Sequence, residues 1–184
     1  MHPSRKRKFW CFVGILVFSL LPATACFSTT ELVEEHSFSN LVVDGDNLWF
    51  GAGYKLYRVD LSQQTATLVY DTDDIQILFA QIDGNKLFFG GSSEKLNVVW
   101  SLDLDSEKIL WTHEFSRIIR FSSGFTTSPV ITNELLLIGE IDRLYALDKN
   151  SGDLQWTIKK NWFYSNVLTP IQVNGQLVYG AYGL

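Results

Sequence analysis

The chain repeats itself, and the repeat limits what it can fold into more than any other feature. An apolar run closing on glycine recurs four times: Leu48-Trp49-Phe50-Gly51, Leu87-Phe88-Phe89-Gly90, Leu135-Leu136-Leu137-Ile138-Gly139 and Leu177-Val178-Tyr179-Gly180. The glycines lie 39, 49 and 41 residues apart. Asp44-Gly45-Asp46-Asn47, Asp83-Gly84-Asn85-Lys86 and Asn174-Gly175-Gln176 precede three of the runs, and Asn133-Glu134 fills that place in the third. Asp-Gly and Asn-Gly pairs favour tight hairpins because a positive φ is cheap there. A second extended segment follows each of the first three glycines and closes on Asp60, Asp103 or Asp148. A turn then leads to a third segment, expected to end on an aromatic: Tyr70, Trp111 or Trp156. A further apolar segment precedes each hairpin, at 77–82, 129–132 and 170–173.

Four short strands in each unit of roughly 43 residues is the size of a propeller blade. The expected fold is therefore all-β: a partial β-propeller of about three and a half four-stranded blades over residues 38–184. Residues 109–119 are the one rival helix, but their β-branched and aromatic content favours extended structure.

At these residues the chain resembles the pyrroloquinoline-quinone-type (PQQ-like) β-propeller repeat family. Ala146-Leu147-Asp148-Lys149-Asn150-Ser151-Gly152-Asp153-Leu154-Gln155-Trp156 follows that family's Ala-Leu-Asp, two residues, Thr-Gly, three residues, Trp pattern, with Ser151 for Thr. Ser128-Pro129-Val130 upstream also fits. The second copy keeps Leu102, Asp103 and Trp111 but has Ser106-Glu107 where Thr-Gly is usual. The first keeps Asp60, lacks the glycine, and carries Tyr70 ten residues after the Asp instead of eight. The resemblance implies a blade-docking role for Asp103, Trp111, Asp148, Gly152 and Trp156. In the family the repeat Trp docks between neighbouring blades and the Asp turn helps to fix it. An indole buries a large area while its N–H needs an acceptor.

The first 25 residues read as an export signal. Arg5-Lys6-Arg7-Lys8 is a positive cluster, residues 9–21 are uncharged and apolar, and Pro22 then breaks the helix. Ala23-Thr24-Ala25-Cys26 resembles a bacterial lipobox, in which Cys26 is acylated and becomes the first mature residue, followed by a linker over 26–37. Two chains at that cysteine give stable membrane attachment. Ordinary cleavage after Ala25 and an uncleaved N-terminal anchor are the competing readings. Phe27 stands after Cys26 where an Asp would signal retention at the inner membrane, which points to the outer membrane where the organism has one. The only other cysteine, Cys11, lies inside the apolar stretch, so no intramolecular disulfide is expected after processing.

Beyond the basic cluster stand eleven basic and twenty acidic residues. A body of that sign is a poor match for nucleic acid, whose phosphates need clustered Lys and Arg. Catalytic patterns are missing as well. Asp71-Thr72-Asp73-Asp74 lacks the glycine and distal Glu of a calcium loop and reads as a solvated turn. His36 and His113 are isolated in sequence, and no serine sits in a nucleophile elbow. Quinone-dependent dehydrogenases share the repeat, and membership among them would imply bound quinone, calcium, a catalytic Asp and, in many members, adjacent cysteines. The chain has no adjacent cysteines, and no position here can be assigned the catalytic Asp or the calcium ligands.

Residues 118–125, with Arg120, Phe121 and Phe125, form the longest connection. They read either as a partner-binding loop or as a blade-start strand packed in the core. Fewer than four blades also leave open edges, which a second copy, further chain or a closing N-terminal strand could cover. The expected function is a non-catalytic scaffold of the cell envelope, lipid-anchored and facing the periplasm or exterior. It would bind envelope proteins without cofactor or metal, as lipid-anchored family members do in outer-membrane protein assembly. A fragment of a quinone-dependent dehydrogenase and an extracytoplasmic sensor module are the alternatives.

Overall fold

The computed structural model describes residues 37–116, 125, 128–140, 143–159, 165–167, 171–173, 176–178 and 181–183. Among them there is no helix. Three four-stranded antiparallel sheets follow one another in the chain, each with its strands in sequence order, and a fourth copy begins after them. They are the blades of a β-propeller.

Blade 1 holds β1 Val42–Asp44, β2 Asn47–Ala52, β3 Lys55–Asp60 and β4 Thr65–Asp71. Blade 2 holds β5 Gln76–Asp83, β6 Lys86–Ser92, β7 Leu96–Asp103 and β8 Lys108–Ser116. Blade 3 holds β9 Val130–Ile131, β10 Leu135–Gly139, β11 Arg143–Asp148 and β12 Leu154–Lys159. The Asp-Gly hairpins form as their chemistry dictates, with Gly45 at φ 56° and Gly84 at φ 57°. Residues 109–116 belong to β8, so the extended reading of that segment holds.

The fourth copy contributes β13 Ser165–Val167, β14 Ile171–Val173, β15 Gln176–Val178 and β16 Ala181–Gly183. β14 pairs with β15, and β13 with β16. The two pairings differ in register by one residue, Val167↔Ala181 against Ile171↔Val178. The slip recurs at the equivalent place in blade 2, between Ile77↔Gly91 and Phe79↔Gly90. It recurs in blade 1, between Phe38↔Ala52 and Val42↔Trp49. One bulge, present in blades 1 and 2 among the described residues, bends the start of the unit.

Two sequence expectations are corrected in detail. Two of the apolar runs do not end on glycine, since β2 continues to Ala52 and β6 to Ser92, whereas β10 ends on Gly139 as expected. The third segments do not end on their aromatics either, since β8 runs five residues beyond Trp111 and β12 three beyond Trp156. In both cases the neighbouring strand reaches further than the local pattern shows. β7 begins at Leu96, so β8 still has backbone partners out to Ser116.

The core is a set of seams between blades, because alternate residues of a strand face opposite neighbours. Trp49 and Leu56 of blade 1 pack with Leu87, Phe89, Trp100 and Leu102 of blade 2. Phe88, Val99, Trp111 and Phe115 on the other face of blade 2 pack with Leu136, Ile138, Tyr145 and Leu147 of blade 3. Gly51 is needed for this approach, since a Cβ there would lie 2.4 Å from Ile77 of the next blade; within blade 2, a Cβ at Gly90 would lie 2.4 Å from the Phe79 ring.

Candidate functional site: the blade seams and their turns

Asp60, Asp103 and Asp148 each open a turn by accepting hydrogen bonds from the residues just ahead. The Asp60 carboxylate accepts from the Ser62 hydroxyl (2.7 Å) and from the amides of Ser62 (2.9 Å) and Gln63 (2.8 Å). Asp103 accepts from the Ser106 hydroxyl (2.7 Å) and amide (2.8 Å), and from the Asn85 side chain (2.9 Å). Asp148 accepts from the amides of Asn150 (2.8 Å) and Ser151 (3.0 Å). These bonds favour the ionised form and hold all three carboxyls below their ordinary range, led by the Ser62 hydroxyl, the Ser106 hydroxyl and the Ser151 amide respectively.

Four residues after each Asp the backbone turns left-handed, at Gln64 (φ 55°), Glu107 (φ 54°) and Gly152 (φ 78°). Only the third turn has glycine there, and the reason lies in the preceding blade. The Trp111 ring of blade 2 sits over Gly152 so closely that a Cβ would meet its carbons at 2.6 Å. Trp111 is 8% exposed, and its Nε1 donates to the Lys149 carbonyl at 3.2 Å. Two lysines complete the grip: Lys149 pairs with Asp83 of blade 2 at 2.7 Å, and Lys86 of blade 2 donates to the Asn150 side chain at 2.7 Å.

The seam between blades 1 and 2 replaces this arrangement. Glu107 carries a Cβ where Gly152 has none, and blade 1 has Leu68 eight residues after its Asp. Leu68 pairs with Tyr57, and the register shift that follows brings Tyr70 opposite Leu56, on the blade 2 side of the sheet, where it packs on Phe89 (5.8 Å) and Trp100 (6.1 Å). Arg58 of blade 1 reaches Glu107 as an ion pair at 2.9 Å. The Asn40 side chain stands in for a strand partner, donating to the Ala80 carbonyl (2.7 Å) and accepting from its amide (2.9 Å).

Sequence reading missed a buried polar cluster in the second seam. Glu140, just after β10, accepts from the Asn97 side chain of blade 2 at 2.6 Å and from the Tyr145 hydroxyl at 2.9 Å. Burial, reinforced by the Glu140 charge, holds the Tyr145 phenol above its ordinary range. No local motif marks such a cluster, since Asn97 and Glu140 are 43 residues apart.

Among the other residues singled out, Trp156 is half-buried against Leu137, Leu144 and Ala146. Phe125 lies inside the second seam, edge-on to Phe79 (5.5 Å) and Phe115 (5.9 Å). Arg120, Phe121 and Cys26 lie outside the described residues. His113 sits on β8 beside the Phe115 ring, and among the described residues no three His, Cys, Asp or Glu side chains come together. Asp71–Asp74 forms a turn in which the Asp73 amide donates to Asp71.

No protein-family model matches the chain, and no curated protein sequence matches it. Solved structures do. The crystal structure of BamB from Moraxella catarrhalis is 21% identical with a TM-score of 0.58, over 78% of this chain and 46% of that one. A chain of the mitotic checkpoint complex is 14% identical with a TM-score of 0.60, over 80% and 46%. The computationally designed Ika4 protein is 13% identical with a TM-score of 0.56, over 83% and 94%. The fold these define is the β-propeller, and this chain spans less than half the length of the BamB structure.

Proposed function

We propose that this chain is a non-catalytic β-propeller lipoprotein of the bacterial envelope that binds other proteins, with a place in outer-membrane protein assembly. The observation that carries the reading is the structural likeness to BamB over 78% of the chain. The PQQ-like repeat at residues 146–156 and the lipobox-like run ending in Cys26 support it. Propellers present rigid loops at the ends of their blades, and such loops are natural partner sites. The Asp turns and docked aromatics serve that rigidity; Asp103, Asp148, Trp111, Gly152 and Trp156 act as structural residues in this reading, with no cofactor or metal. Two measurements on protein purified from native membranes test it. Mass spectrometry of the N-terminal peptide should find Cys26 diacylated and N-acylated, and loss of the gene should lower the amount of folded outer-membrane protein. An unmodified Cys26 removes the anchor. Turnover of a dye after reconstitution with quinone and calcium overturns the scaffold in favour of an enzyme.

A further inference from the structure

The buried polar cluster of the second seam holds two oxygens that the chain itself leaves without hydrogen bonds. Asn97 uses only one end of its amide. Its Nδ2 donates to Glu140 Oε1 at 2.6 Å, and the Tyr145 hydroxyl donates to Glu140 Oε2 at 2.9 Å. The Asn97 Oδ1, on a side chain that is fully buried, accepts from no protein group. Ser92 repeats the feature: its Oγ is buried and bonded to nothing in the chain. The two residues stand directly opposite each other on β6 and β7, so their side chains share one face of blade 2. The bond from Asn97 to Glu140 identifies that face as the one toward blade 3. Cβ atoms of such a pair lie about 4.5–5.5 Å apart, which puts both oxygens within reach of one small molecule. Phe115, opposite Asn97 on β8 with its ring 4.5 Å from that of Tyr145, supplies an apolar wall.

We infer that Ser92 and Asn97 form a binding site for one ordered water molecule, held inside the seam between blades 2 and 3. An amide oxygen can only accept, so its partner must bring a proton to donate. A buried acceptor left unmet is costly, and interior water sits where two or more such atoms converge. Water suits both atoms. One O–H donates to Asn97 Oδ1, and the water then either donates its second O–H to Ser92 Oγ or accepts from the Ser92 hydroxyl. A metal cation suits them poorly. The amide carries Oδ1 and Nδ2 on separate arms, and the Nδ2 arm is the one that meets the carboxylate. Both Glu140 oxygens already hold donors, and Arg143 reaches the same Tyr145 phenol, so the cluster has its positive charge. Among the described residues no three His, Cys, Asp or Glu side chains gather there to hold a metal. The water extends the chain Tyr145–Glu140–Asn97 to Ser92, and so ties the β6–β7 hairpin end to blade 3.

The test is a crystal structure of the full 184-residue chain at a resolution that places ordered waters. The expected result is one density peak at about 2.7–3.2 Å from both Asn97 Oδ1 and Ser92 Oγ. No peak at that place overturns the inference, and so does a direct bond between the Ser92 hydroxyl and Asn97 Oδ1. A peak with several oxygen contacts at about 2.3–2.6 Å overturns it in favour of a cation. A second measurement reads the same site in solution. Oxygen-17 relaxation dispersion of the solvent counts the long-lived internal waters of wild type and of Ser92→Val. Valine is a good strand residue whose methyl groups would fill the space beside Asn97, and circular dichroism checks that the variant keeps its fold. Ser92→Val should hold one long-lived water fewer than wild type. Equal counts in the two folded proteins overturn the inference.

Discussion

The Asn97 side chain of blade 2 donates to the Glu140 carboxylate of blade 3 across 2.6 Å, in a seam where Asn97 is fully buried. Tyr145 donates to the other carboxylate oxygen at 2.9 Å. A buried carboxylate is tolerated only when its oxygens are paired, and here the pairing is drawn from both blades.

Glu140→Ala should therefore cost far more than an exposed truncation. It leaves the Asn97 side-chain N–H and the Tyr145 hydroxyl without their acceptor, and each buried donor left unsatisfied costs about 1–3 kcal/mol. Tyr145→Phe removes one bond to a charged acceptor and should cost about 1.5–3 kcal/mol. Urea unfolding followed by circular dichroism reads both. Equal, small losses would mean that the cluster is hydrated in solution.

Gln64→Gly should stabilise the fold. Gln64 holds a φ of 55° in the position that glycine occupies in blade 3, and a left-handed conformation costs a residue with a Cβ about 1–2 kcal/mol. Glycine's larger unfolded-state entropy offsets part of that gain, leaving about 0.5–1 kcal/mol. Glu107→Gly relieves the same conformation but also loses the Arg58 ion pair, so its gain should be smaller. Thermal melts of the two variants check the order.

Acid should loosen the turns. The folded-state pKa values of Asp60, Asp103 and Asp148 lie below those of the unfolded chain. The unfolded chain then binds more protons than the folded one as pH falls toward the carboxylate range. The contribution of these groups is present in full above the ordinary Asp pKa of about 3.9 and is lost as pH falls through the lower folded values. Asp148→Asn keeps a side-chain oxygen for the Asn150 and Ser151 amides and loses the titration. Its melting temperature should fall less than that of wild type between neutral pH and about pH 3. An identical pH dependence would remove Asp148 from the account.

The recurring features were legible because they are local. Asp-Gly hairpins, Asp-led turns and runs of alternating apolar residues each declare themselves within ten residues, and their recurrence announces the blade. Interactions between repeats were less legible. The move from Trp-over-Gly to Tyr70 looks like decay in the sequence; in the structure it accompanies an ion pair between Arg58 of the same blade and Glu107 of the facing one. Asn40 against Ala80 and Asn97 against Glu140 bridge forty residues or more with no local signature. Phe125 could be read as a loop aromatic or a core one, and only the ring contacts with Phe79 and Phe115 place it inside the seam.

The central claim is that blade 2 docks on blade 3 by Trp111 seated on the turn at Gly152. A double-mutant cycle with Trp111→Leu and Gly152→Ala tests it most directly. Trp111→Leu alone should cost about 2–4 kcal/mol from lost burial and the lost Lys149 bond. Gly152→Ala alone should cost about 2 kcal/mol or more, since it adds left-handed strain to a clash with the ring. The account predicts that the double variant loses at least about 1 kcal/mol less than the sum, because the clash vanishes with the indole. Losses that add within about 0.5 kcal/mol would mean that Trp111 and Gly152 do not touch in solution, and the docking account would be contradicted.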